Sequence, residues 1–128
     1  MSYQVRFEQQ TGYLHAIVTG MNSKENVMRY LRDIRDACRA RNCFRVLIEE
    51  RLEGARLGTT DVFEIASSGR DGAATRLPVI AYVDVNATSD ASMKFAETVA
   101  YNRGIDVRVF STVPEAAQWL RNLDSRAP

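Results

Sequence analysis

The chain has 128 residues, 45% of them hydrophobic, with 17 basic and 16 acidic side chains for a net charge of +1. That length suits one domain, placed at residues 1–124 with 125–128 as a frayed tail, and the apolar content sets aside a disordered segment. The balanced charge sets aside a dominant nucleic-acid or anionic-membrane footprint, and no run approaches the ~20 apolar residues of a membrane helix.

In chain order, Tyr3, Val5 and Phe7 alternate with Gln4, Arg6 and Glu8, the period of a half-buried strand. Residues 9–12 read as a turn and 13–19 as a second strand, which together predict an antiparallel hairpin. After a turn at 20–22, Asn22 or Ser23 is the expected N-cap of a helix with Val27, Leu31, Ile34 and Cys38 on one stripe. Tyr30 and Ala37 widen that stripe, while Arg29, Arg32, Asp33, Arg35, Asp36 and Arg39 face water. Residues 43–48 form a nearly continuous apolar run, as in a strand covered on both faces, that exits at Glu49, Glu50 and Arg51.

A loop at 51–58 leads to a helix capped by Thr59 or Thr60, carrying Val62, Phe63, Ile65 and Ala66. Residues 77–83 are another buried strand ending at Asp84, followed by a helix at 88–103 that Gly104 stops. Ile105, Val107 and Val109 alternate to give the last strand, closed by Phe110. Thr112 and Glu115 form a capping box for a final helix with Ala116, Ala117, Trp119, Leu120 and Leu123 inward. The order β-β-α-β-α-β-α-β-α predicts an α/β fold: a mostly parallel sheet with one antiparallel edge strand.

In such a sheet, ligands gather at the carboxyl ends of the strands. That rim holds Gly20, Asn22, Glu49, Glu50, Arg51, Asp84, Asn86, Ser111 and Thr112. Glu49, Glu50 and Asp84 are candidates for an acid–base or metal cluster, or for residues that cap helices and meet water. His15, the one histidine, lies mid-strand on the face of Tyr13 and Ile17 and is solvent-facing if helices cover only the other face. No nucleophile stands beside it in sequence. The chain has no G-x-G-x-x-G, Walker-A or G-x-S-x-G motif and only the lysines Lys24 and Lys94. No cofactor and no metal are expected. Cys38 and Cys43 are too few for a disulfide scaffold, and without a cleavable signal they point to reduced thiols in the cytoplasm.

The chain resembles the STAS family, founded on bacterial anti-sigma factor antagonists, and within it the SpoIIAA-like branch. The likeness rests on Gly12-Tyr13-Leu14 and Gly20 around the second strand, and on residues 45–51 in the central strand. It continues through Phe95-Ala96, Asn102-Arg103-Gly104, residues 107–110 and the ending at 115–120. The resemblance implies a non-enzymatic regulatory domain that binds a protein partner, such as a kinase or an anti-sigma-like protein. It also implies a phospho-switch at the start of the helix after the central strand, here Thr59, Thr60 and Asp61. This stretch lacks the family's Ser-Gly pair and places Asp after the hydroxyls; Ser67-Ser68-Gly69 comes too late in the helix to replace it. A small anionic or lipid-like ligand is the alternative, suggested by helix N-termini and by Tyr13, Phe63, Tyr82 and Phe110. The edge strand and an uncovered sheet face also offer surfaces to a second copy of the chain.

Overall fold

The computed structural model describes residues 3–54, 60, 64, 79–85 and 106–123. They form one sheet of five strands in the order β1-β2-β3-β4-β5. β1 (Tyr3–Gln10) and β2 (Tyr13–Met21) are antiparallel; β3 (Arg45–Glu53), β4 (Val79–Asp84) and β5 (Val107–Phe110) continue parallel to β2. Two helices are described over their length, α1 (Lys24–Arg41) and α2 (Val113–Asn122). Thr60 and Glu64 are helical, consistent with the helix expected there, but the rest of that helix and the one expected at 88–103 lie outside the described residues.

The hairpin turn is tighter than the sequence predicts. Gln9 and Gln10 pair with Leu14 and Tyr13, leaving Thr11 and Gly12 to reverse the chain. Gly12 adopts φ +86°, a conformation open to glycine at little cost. Of the two cap candidates, Ser23 caps α1: its Oγ accepts from the Asn26 N–H at 3.1 Å. Asn42, in the left-handed region, ends the helix by returning its N–H to Arg39. At α2, Thr112 Oγ1 accepts from the Glu115 N–H at 3.3 Å, while its hydroxyl donates to Glu115 Oε1 at 2.9 Å. The capping box therefore closes through the two side chains rather than through both backbone donors.

The third strand runs past its predicted end. Glu49, Glu50 and Arg51 lie inside β3, not at its exit, because the ladder to β2 continues as far as Glu53 opposite Met21. Charged residues are good strand terminators only when left to water, and here Glu49 and Glu50 are both buried.

The helices divide between the faces. α1 packs Val27, Tyr30, Ile34 and Cys38 on Leu14, Ala16, Val18, Val46, Ile48 and Leu52. α2 packs Ala116, Ala117 and Leu120 on Tyr13, Leu47, Ala81 and Val83, the side chains that alternation sends the other way. Phe110 and Trp119 extend this second layer, their rings 5.5 Å apart, with the Arg108 guanidinium 5.6 Å from the indole. α2 reaches β3, β4 and β5, so the second face is covered at that end, while the strip over β1 and β2 is left without a described helix.

Candidate functional site

The strip without a described helix can be laid out from register alone. Glu8 of β1 lies opposite His15 of β2, Arg6 opposite Ile17, and Gln4 opposite Thr19. The same β2 residues then face Leu47, Glu49 and Arg51 of β3. The last two rows line an open groove of about 800 Å³, to which Gln4, Arg6, Ile17, Thr19, Glu49 and Arg51 contribute.

Glu49 is the hub of this surface. His15 Nε2 stands 2.8 Å from its Oε1, and Arg51 Nε donates to its Oε2. Burial pushes the Glu49 carboxyl up, but the hydrogen bonds and charges of Arg51 and His15 outweigh it and hold the group below its ordinary range. It is therefore ionised at neutral pH and accepts from both partners. His15 is nearly enclosed, its side chain 14% exposed, so it does not stand open to water as a one-sided sheet would have left it. Arg51 is half-exposed, with Nε turned to Glu49 and the rest of its guanidinium beside the groove. Arg6, further out, pairs with Glu8 at 3.3 Å.

The neighbouring carboxylate faces the other way. Glu50 points under α1, where it accepts the hydroxyl of the fully buried Tyr30. Burial, the Glu50 charge and that hydrogen bond raise the Tyr30 phenol well above its ordinary value. Tyr82 of β4 joins them, its phenol raised well above the ordinary value by burial first and by Glu50 and Tyr30 next. Asp84 lies directly opposite Glu50 in the ladder, on the same face.

The expected gathering of Glu49, Glu50 and Asp84 is thus corrected. The two-residue period of a strand sends Glu49 and Glu50 to opposite faces, and only Glu50 and Asp84 share one. Among the described residues, no group of three or more His, Cys, Asp or Glu is placed to hold a metal ion. Cys38 and Cys43 are free thiols; burial pushes Cys38 up to about 11. Thr60 is exposed and helical, and Glu64, four residues later, bonds Lys24 of α1 at 2.9 Å. Thr59, Asp61 and Asn86 lie outside the described residues.

Sequence reasoning named Glu49 and Arg51 but not the bond of Glu49 to His15, and Glu50 but not its seat beneath Tyr30. Strict alternation through residues 45–53 is the signal that would have separated the two carboxylates. No described helix is long and apolar enough to cross a membrane. No protein-family model matches this chain, and no curated protein matches it.

Proposed function

We propose that this chain is a STAS-like regulatory domain that performs no chemistry of its own and binds a protein partner with the exposed residues of β1, β2 and β3 around this groove. The observation that carries this reading is the strip itself. Gln4, Arg6, Thr19 and Arg51 stand exposed on hydrogen-bonded strands around an open groove, while Glu49 beneath them is engaged by His15 and Arg51. A surface already ordered by its ladder loses little entropy on binding, and arginine is enriched at protein interfaces. A mixed five-strand sheet that opens with an antiparallel hairpin is also the arrangement the STAS resemblance leads one to expect.

Thr60 is the regulatory element of this proposal. A phosphate there would add ~1.5–2 negative charges to an exposed helical residue near the Lys24–Glu64 pair. It would compete with Glu64 for Lys24 and repel an acidic partner such as a kinase or an anti-sigma-like protein.

Capture of proteins from the native cell extract on immobilised wild type, Arg51→Glu and Thr60→Glu tests the reading. A partner retained by wild type should be lost on Arg51→Glu and weakened by Thr60→Glu. Equal retention on all three, with circular dichroism unchanged, would remove both the strip and the switch.

A small anionic or lipid-like ligand is the second reading. It is favoured by the two guanidinium groups, Arg6 and Arg51, that line the same groove with the neutral side chains Gln4 and Thr19. A thermal-shift screen of carboxylates, phosphates and fatty acids separates the two readings. A ligand at 100 times its Kd stabilises by ~2.7 kcal/mol, and that gain should vanish in Arg51→Glu.

A further inference from the structure

β1 ends the sheet. It pairs with β2 along one side, and among the described residues no strand lies along the other. It is eight residues long, keeps an unbroken register with β2 and contains no proline. Edge strands are usually shortened, bulged or interrupted to prevent pairing with another chain. β1 has none of these devices; its exposed charges, Arg6 and Glu8, are of opposite sign and can be matched by a second copy, so its outer row of N–H and C=O groups is a template for a further strand.

The side chains specify which strand fits. Two copies of β1 can pair antiparallel about a two-fold axis normal to the sheet. This operation keeps each copy's faces in place, so opposed residues must belong to the same face. Centring the axis on Arg6 opposes two guanidinium groups, and centring it on Glu8 opposes two carboxylates. Like charges directly opposite destabilise a ladder. Centring it on Val5 confines the pairing to residues 3–7 and sets Arg6 against Gln4. Centring it on Phe7 engages residues 4–10 and sets Arg6 of each copy against Glu8 of the other.

We propose that β1 pairs with β1 of a second copy in this last register, giving a dimer with one continuous ten-strand sheet. Within one chain, Arg6 Nη2 already lies 3.3 Å from Glu8 Oε2, and both side chains are exposed. Adding the second copy makes a quartet in which each charge has an opposite charge along its own strand and another across the axis. On the α1 face the half-buried Phe7 meets its counterpart, extending a layer that already includes Val5 and Tyr3. Opposed aromatic pairs and opposite-charge pairs both favour an antiparallel ladder. The ladder is small beside the ~1,200–2,000 Å² of a stable interface, so association belongs to the micromolar range or above. The inference shares Arg6 and Gln4 with the partner reading but is read out separately, by the mass of the chain alone rather than by a bound partner.

Sedimentation equilibrium on the full chain tests it. Wild type should rise from 14.4 kDa toward twice that mass with concentration. Arg6→Glu and Glu8→Arg should each stay monomeric, because each opposes like charges. The double variant should dimerise again, and so should an equimolar mixture of the two single variants, which also shows that both fold. A wild type that remains at 14.4 kDa up to millimolar concentration overturns the proposal, even if a strand of another protein occupies the edge. Single variants that dimerise like wild type, or a mixture that stays monomeric, overturn the register.

Discussion

Glu49 and Glu50 are consecutive residues of one strand, and both are buried, yet their surroundings differ in kind. Glu50 is sealed under α1 with two phenols whose protons it helps to retain. Glu49 looks onto the half of the sheet without a described helix and is matched by a histidine and a half-exposed arginine. One carboxylate is part of the core's architecture; the other organises a surface. The contrast shows that burial alone does not mark a functional carboxylate. What distinguishes Glu49 is that it lines the groove together with its partner Arg51.

The sealed side should give the largest effects. Tyr30→Ala removes a fully buried ring from the α1 layer and should cost about 3–5 kcal/mol in chemical denaturation. Tyr30→Phe keeps the ring but leaves Glu50 without that donor, and about 1–3 kcal/mol is expected. A result for Tyr30→Phe near zero would mean that the hydroxyl is not what seats Glu50, and the contrast between the faces would weaken.

The two faces should also respond at opposite ends of the pH scale. Glu49 has a folded-state pKa below its unfolded value, so its contribution is present above the unfolded carboxylate pKa and is lost as pH falls through the folded one. Glu49→Gln should therefore be less stable than wild type by about 1 kcal/mol at neutral pH, with the gap closing in acid. Tyr30 and Tyr82 have raised folded values, so their contribution is complete below the unfolded phenol pKa and is lost as pH rises through the folded values. Urea titrations from acid to alkaline pH should show Tyr30→Phe blunting the alkaline loss and Glu49→Gln blunting the acid one. The smallest effect belongs to Arg51→Ala. Its half-exposed guanidinium is screened by water, and less than about 1 kcal/mol is expected, even though the same change should abolish binding at the groove.

The order of strands, the N-terminal hairpin and the stripe Val27, Ile34, Cys38 were legible in sequence because each is a local period. So was the choice of Thr112 as a cap. The third strand's end was not. Residues 49–51 are charged, and a charged run after an apolar one reads as an exit to solvent. They stay in the ladder because their partners come from far along the chain: His15 lies 34 residues before Glu49, and Tyr30 lies 20 before Glu50. Nor could composition say that α2 would cross to the face opposite α1. That depends on which side Leu47, Ala81 and Val83 present, a matter of register rather than of residue type.

The placement of α2 has a consequence for how the molecule is made. The layer beneath it brings Tyr13, from the second strand, together with Leu120, from the last described helix. During translation the first hairpin and α1 can assemble from neighbouring segments as they leave the ribosome. The opposite layer is completed only when the final described turns have been synthesised. Until then Tyr13, Leu47, Ala81 and Val83 lack the contacts of Ala116, Ala117 and Leu120, and a ribosome that stalls before residue 113 releases a chain whose second layer is unfinished, the form that chaperones and proteases would meet first.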